Sequence, residues 1–331
     1  MGSKFDFIDI ELARRRQMGQ LRTLRTAQPC GGTEVIVDGR RLINFSSNDY
    51  LGLASHPLLR QRAAEFAERY GAGATASRLM AGSHPGFSLV EQKLAELKQT
   101  DRALVFNSGY QANISLLPAL TDRHSLMLLD RRCHNSLLQG ATLSRGKSIR
   151  YRQGDLTHLR ELLAESTAGG YSRRLIVTES VFSMDGDRAP IDRLAAVAAD
   201  NDAWLMVDDA HGFGVLGGGR GSAWEFDPHP DIPLQMGTLS KAVGVYGAFL
   251  CASAPVIELM KNRARSLVYT TALPPAIIAS CIAAVDIIGT DSERVARPLQ
   301  HARAFCDAVG LPEPESPIVP LVIGAEQAAL D

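Results

Sequence analysis

Lys241 stands in the run Met236-Gly-Thr-Leu-Ser-Lys-Ala-Val-Gly-Val-Tyr-Gly247, among small, hydroxylated and apolar residues. No acid lies within seven residues on its C-terminal side, and the nearest on the other side is Asp231. A lysine in a glycine-rich apolar turn loses hydration. Its ammonium is then disfavoured, and the free amine is a nucleophile near neutral pH. The hydroxyls of Thr238 and Ser240 could hold a phosphate beside it. Taken alone, the stretch also fits a loop lysine that points to solvent. A second polar group, Asp208-Asp-Ala-His211, follows the apolar run Trp204-Leu-Met-Val207. A carboxylate at a strand end, with a histidine three residues on, suits acid–base or cofactor chemistry. The rival reading takes Asp208, Asp209 and His211 as metal ligands. It is disfavoured because adjacent aspartates on a strand face opposite ways and no His-Glu-x-x-His or cysteine cluster accompanies them.

Positioning such residues needs an alternation of strands and helices, and the sequence has one. Short apolar runs at 103–106, 126–130, 148–152, 174–179, 204–208 and 247–251 predict strands. Helical patterns follow at about 108–120, past 133–135, at 156–165, from Pro190, and at 255–265 and 275–288. Strands that are apolar throughout, alternating with helices, indicate an α/β fold whose mainly parallel sheet is covered on both faces. Ligands of such sheets sit at the carboxyl ends of the strands. There the chain places Ser108-Gly109-Tyr110 at a helix start, His134 past a strand, residues 180–185, Asp208 to His211, and the lysine turn. A helix N-terminus offers free N–H groups to an anion, so Gly109 and Tyr110 form a candidate phosphate seat; mere helix-start residues would look the same. His134 fits either a functional residue or a buried structural histidine.

Upstream, residues 1–30 read as an amphipathic basic helix carrying Leu12, Met18, Leu21 and Leu24. Residues 33–45 read as a hairpin turning at Asp38-Gly39. Ser55 is the expected cap of a helix with Pro57 in its first turn and Gly71 as its stop. A further helix is expected at 85–98, with Phe87, Val90, Leu94 and Leu97 on one face. Gly217-Gly-Gly-Arg-Gly221 lacks a phosphate-loop ending and reads as a turn. The expected domains are an N-terminal helix and hairpin segment (1–52), a large α/β domain (53–289) and the start of a small C-terminal α+β domain (290–331) with a strand at 318–323.

The 331 residues are 45% hydrophobic with a net charge of −1, enough for a full core. Scattered lysine and arginine argue against a nucleic-acid or membrane partner, and no apolar run reaches the ~20 residues of a membrane span. The first residues are charged and show no signal-peptide core. The five cysteines form no CxxC and read as reduced thiols, which points to the cytoplasm.

A phosphate seat, a strand-end carboxylate, two histidines and a reactive lysine are together what a pyridoxal phosphate enzyme requires. Several stretches carry a family likeness. They are Asn48-Asp-Tyr-Leu-Gly-Leu53, Ser77-Arg-Leu79, Thr178-Glu-Ser-Val-Phe-Ser-Met-Asp-Gly-Asp187, Val207-Asp-Asp-Ala-His-Gly-Phe-Gly-Val215, Gly219-Arg-Gly221, Gly237-Thr-Leu-Ser-Lys241 and Tyr269-Thr-Thr-Ala-Leu-Pro-Pro275. Together they resemble the α-oxoamine synthases, fold-type I pyridoxal phosphate transferases of the aspartate aminotransferase superfamily.

The resemblance implies that Lys241 holds the cofactor as a Schiff base and Asp208 pairs with its pyridine nitrogen. It also implies that His134 stacks on the ring, and that His211 and Ser183 meet the ring hydroxyl. Gly109, Tyr110 and Thr238 would hold the phosphate, with Thr270 or Thr271 reaching the phosphate of a partner subunit in a homodimer. Arg22 and Asn48 would border the substrates. The nearest branch joins L-alanine to a pimeloyl thioester of coenzyme A or acyl carrier protein, with loss of CO2. Glycine or serine with another acyl thioester is the alternative, and a non-catalytic cofactor-binding dimer a further one. Family chains continue past the point matching Asp331 and carry a carboxylate-binding arginine there, so cofactor binding with weak turnover is expected.

Overall fold

The computed structural model describes residues 4–167 and 169–324; residues 1–3 and 325–331 of the expected terminal segments lie outside it. The chain divides into two compact units, 1–47 and 48–331.

The first unit holds helix α1 (Asp6–Gln17) and a three-stranded antiparallel sheet, β1 (Ala27–Pro29), β2 (Glu34–Val37) and β3 (Arg40–Ile43). Acids in the first turn of α1 and arginines in the last complement the helix dipole. The helix expected over 1–30 is shorter than that. It stops at Gln17, Gly19 turns at φ 65°, and Leu21 and Leu24 lie beyond it, exposed. No residue of α1 is buried, so nothing pays to extend it against its breaker. The hairpin is where the Asp-Gly pair puts it: Asp38 and Gly39 both have positive φ, as a two-residue primed turn requires. The short β1, which pairs with β2, carries no sequence signal.

The second unit begins with α2 (Pro57–Tyr70) and α3 (Pro85–Lys98). The cap of α2 is His56, whose ring accepts the Leu58 N–H, and not Ser55. The α3 bounds are those expected, with Phe87, Val90 and Leu94 buried. There follow β4 (Arg102–Phe106), α4 (Gly109–Leu120), β5 (Ser125–Asp130), α5 (Asn135–Leu143), β6 (Lys147–Tyr151), α6 (Leu156–Thr167), β7 (Arg173–Glu179), α7 (Ile191–Asp200) and β8 (Ala203–Asp208). The chain continues through β9 (Leu234–Thr238), β10 (Ala248–Ala252), α8 (Ala254–Arg263), α9 (Arg265–Val268), α10 (Pro275–Thr290) and α11 (Ser292–Val309).

The sheet order is β4-β10-β9-β8-β7-β5-β6. Strands β9, β8, β7, β5 and β6 run parallel, while β10 is antiparallel to both β9 and β4. Alternate residues enter different cores. Leu205 and Val207 of β8 join the cluster under α6 and α7, while Met206 joins the one under α4 and α5. Ala103 and Val105 of β4 face a third cluster with α3 and α10. Both faces are covered, which is why these strands read as unbroken apolar runs.

Two expectations fail here. Residues 236–238, taken as part of a turn, are the end of β9; glycine and threonine hide a strand that neighbours on both sides complete. Residues 318–323 form no strand. Pro317 and Pro320 remove backbone donors, no strand among the described residues pairs with the segment, and Leu321, Val322 and Ile323 are exposed. Among the described residues no single helix is long and apolar enough to cross a membrane.

Candidate active site

The carboxyl ends of β5, β7, β8 and β9 place one polar cluster. Asp208, last residue of β8, is 4% exposed. Its Oδ1 accepts the Ala210 N–H at 3.1 Å and its Oδ2 accepts Asn113 Nδ2 at 2.8 Å. Asn113 Nδ2 also donates to Ser136 Oγ at 2.9 Å, and that hydroxyl meets His134 Nδ1 at 2.8 Å. The Ser136 N–H points at the same Nδ1 (3.2 Å). Nδ1 is thereby an acceptor, and a neutral His134 ring carries its proton on Nε2. His134 is also the cap of α5, and its own N–H donates to Glu179, last residue of β7.

Lys241 lies three residues beyond β9 in a loop pinned by Leu239 N–H to Gly247 O, Val245 N–H to Leu239 O and Gly244 N–H to Lys241 O. Gly244 has φ 72°, and a Cβ there would sit 2.5 Å from the Ala54 nitrogen, so only glycine lets the loop close. Lys241 Nζ is 2.7 Å from His211 Nε2, and His211 Nδ1 is 2.7 Å from Tyr50 Oη. The three residues form a chain in which one proton placement dictates the rest. A neutral amine accepts from Nε2–H while Tyr50 donates to Nδ1. An ammonium donates to Nε2 and turns the Nδ1–H toward Tyr50.

Burial sets the electrostatics. Desolvation lowers the Lys241 pKa, with Asp208 and Glu179 pulling the other way. Desolvation, then the charges of Lys241 and His134, pushes His211 down to about 3. Burial raises Asp208, and it raises Glu179 to about 8 with Asp208 as the next cause. Tyr50 rises to about 12 by burial. The site therefore holds a neutral imidazole at physiological pH and draws the lysine toward its free amine, the form a nucleophile needs.

Under this layer, Asp209 faces the opposite way from Asp208. It binds Ser180 Oγ (2.6 Å), Ser222 Oγ (2.8 Å), the Ser222 N–H and Lys98 Nζ (3.3 Å), and Lys98 also donates to the Arg220 carbonyl at 2.7 Å. This network ties the 212–222 loop to the sheet.

Thr238 closes β9, with its hydroxyl at 2.7 Å from Ser240 Oγ. It lies beside the start of α4, which Ser108 caps. A Cβ on Gly109 would fall 3.2 Å from Met236 Cε and 3.8 Å from Thr238 Oγ1, so glycine keeps that helix N-terminus open. Tyr110 is exposed in the first turn. Asn107 Nδ2 reaches the Thr271 carbonyl (2.7 Å) and Thr270 Oγ1 (3.4 Å), which fixes both threonines near the same turn. Ser183 is exposed in the loop after β7. Asn48 contacts Tyr50, and Arg22 is exposed in the first unit. Tyr50, Asn113, Ser136 and Glu179 were not foreseen as site residues. The available signal was a charged or polar residue ending an apolar strand, which Glu179 shares with Asp208.

These residues fit pyridoxal phosphate. Lys241 offers a desolvated amine free of any ion pair among the described residues, Asp208 a buried carboxylate, and Thr238 with the open start of α4 a phosphate cradle. Fold and site together define a fold-type I pyridoxal phosphate transferase.

The family Aminotransferase class I and II matches residues 40–330. The 8-amino-7-oxononanoate synthase of Methylocella silvestris is 52% identical over 297 residues, 90% of this chain and 84% of that protein. The one from Beijerinckia indica is 47% identical over 330 residues, 100% of this chain and 85% of that protein. Among solved structures, Sphingomonas wittichii serine palmitoyltransferase matches with a TM-score of 0.87 at 28% identity, over 93% of this chain and 78% of that one. An 8-amino-7-oxononanoate synthase from Francisella tularensis matches with a TM-score of 0.69 at 29% identity, over 83% and 78%. The chain belongs to the aminotransferase class I and II family and, within it, to the α-oxoamine synthases, as a pyridoxal phosphate-dependent acyltransferase of the 8-amino-7-oxononanoate synthase type.

Proposed function

We propose that the protein condenses L-alanine with a pimeloyl thioester, of coenzyme A or acyl carrier protein, to 8-amino-7-oxononanoate in biotin synthesis. A bond forms between the alanine Cα and the thioester carbonyl carbon, the thiol carrier leaves, and the alanine carboxyl departs as CO2. The observation that carries the reading is the part-buried Lys241–His211 contact at 2.7 Å near the buried Asp208, in a chain 52% identical to a relative named for this product.

Pyridoxal phosphate bound here supplies an aldehyde that takes up amines and a ring that withdraws electrons from the Cα. The protein's residues do the rest. Lys241 would anchor the cofactor covalently, and its amine, with a pKa lowered by burial, would take the Cα proton. His211 hands hydrogen bonding between Nζ and Tyr50 as that proton arrives, and with Ser183 it meets the ring hydroxyl. Asp208 holds a proton on the ring nitrogen, and Asn113 and the Ala210 N–H aim its two oxygens. His134 covers the ring face, locked by Ser136. Gly109, Tyr110 and Thr238 seat the phosphate, with Thr270 or Thr271 serving the other subunit of a homodimer. Five free cysteines suit a cytoplasmic enzyme.

Serine palmitoyltransferase matches the fold well, which favours serine with a longer acyl thioester as the second reading. Identity of 52% against 28% supports alanine over serine, since fold alone is shared across the family. The test is to load the protein with cofactor and supply alanine, glycine or serine with pimeloyl, acetyl, succinyl or palmitoyl thioesters. Free thiol, CO2 and product mass are then measured. Equal thiol and CO2 from alanine with pimeloyl thioester is expected. Turnover with serine or glycine and none with alanine would overturn the assignment.

A further inference from the structure

Glu179 and Asp208 end adjacent parallel strands in register, Glu179 opposite Asp208, so their side chains stand on the same face about 5 Å apart along the sheet. Both are buried, at 3% and 4% exposure. Asp208 has two donors and feels the charge of Lys241, whereas Glu179 has one hydrogen-bond partner among the described residues, the N–H of His134. The groups around Glu179 are Asp208 on β8, Asp130 on β5, Lys241 after β9, and His134 and the buried Cys133 thiol before α5. That set holds two other carboxylates and one amine. Two buried carboxylates on neighbouring strands that share a single cation cannot both ionise cheaply.

We infer that Glu179 is a positioning residue for the reaction. As an uncharged acid it holds the N–H of His134 and leaves Asp208 as the one anion facing the cofactor's ring nitrogen. His134 is thereby gripped twice. Glu179 takes its backbone, and the Ser136–Asn113 relay ties its ring to Asp208. The carboxylate that meets the ring nitrogen and the imidazole that covers the ring face are held in one frame, and a second charge would split it. The inference rests on the assignment of Asp208 to the ring nitrogen.

The test compares cofactor-loaded wild type with Glu179→Gln, Glu179→Ala and Asp208→Asn. Infrared difference spectra at pH 7 should show a protonated-carboxyl band in wild type that is missing from Glu179→Gln. Glutamine keeps an acceptor without charge, so its cofactor Kd and visible circular dichroism should stay within about threefold of wild type. Alanine leaves the His134 N–H unsatisfied, which should weaken binding by about tenfold or more and shrink the dichroism. Absence of the band, equal losses in the glutamine and alanine variants, or wild-type behaviour of the alanine variant would each overturn the inference. Asp208→Asn should lose cofactor affinity in any case. Wild-type affinity in that variant would instead overturn the assignment of Asp208, whatever the Glu179 variants show.

Discussion

Lys98→Met removes a charge from beneath the site without touching the reacting groups. Lys98 is 2% exposed, and its Nζ lies 3.3 Å from Asp209 and 2.7 Å from the Arg220 carbonyl. The same ammonium lies over the rings of Trp224, at 4.9 Å from the centroid, and Phe213, at 5.9 Å. Deleting one partner of a buried ion pair costs about 3–5 kcal/mol. Asp209 would keep two serine hydroxyls and one N–H, so the loss should fall near the lower end, about 3 kcal/mol, or a factor of ~150 in the folded to unfolded ratio. Asp209→Asn leaves the ammonium with one carbonyl and should cost nearer 5 kcal/mol. The double variant should cost less than the sum, because each single change strands the other charge. Urea unfolding of the loaded protein, at fixed protein and cofactor concentrations, measures all three. A Lys98→Met loss under about 1 kcal/mol would refute the reasoning, since the serines would then hold the anion unaided.

Lys241→Ala should abolish the borohydride-fixable cofactor band while the fold survives, as judged by far-ultraviolet dichroism; a fixable band in that variant would displace the anchor from Lys241. Gly140→Ala should destabilise by about 1–3 kcal/mol and also weaken cofactor binding, because its Cβ would meet the Asn113 carbonyl at 2.5 Å and push away the residue that aims Asp208. Acid behaviour follows from His211, held down to about 3 from an ordinary 6.5. Its unfolded form takes the proton first, so its contribution is present above 6.5 and lost as pH falls toward 3; His211→Asn should flatten that limb of the urea midpoint against pH. Glu179, raised to about 8 from 4.5, has the opposite sign. Its contribution is full below 4.5 and lost as pH climbs to about 8, so Glu179→Gln should gain on wild type above that pH.

Much of the α/β rhythm was legible because buried strands and amphipathic helices are written in local apolar patterns. The bounds of α3 and the hairpin turn at Asp38 and Gly39 followed from residue chemistry alone. Strand β9 was not legible. Its Gly237 and Thr238 look like turn residues, and only pairing with β8 and β10 makes them a strand. The opposite error, a strand at 318–323, took apolar content for pairing that no neighbour supplies. Of the site, Lys241, Asp208, His211 and His134 stood out by type and position, whereas Tyr50 is 161 residues from His211 and nothing local links them.

By itself, the order of residues determined which groups could do chemistry and that they would fall at the carboxyl ends of one sheet. Strand patterning places a residue on a face and at an end. Only the tertiary structure decided which of these groups touch. It joined Lys241 to His211 and Tyr50, hung His134 between Glu179 and the Asn113 relay, and set Glu179 opposite Asp208. Hydrogen bonds and shifted pKa values depend on distance and desolvation, and both arise only when segments far apart in the chain pack and exclude water.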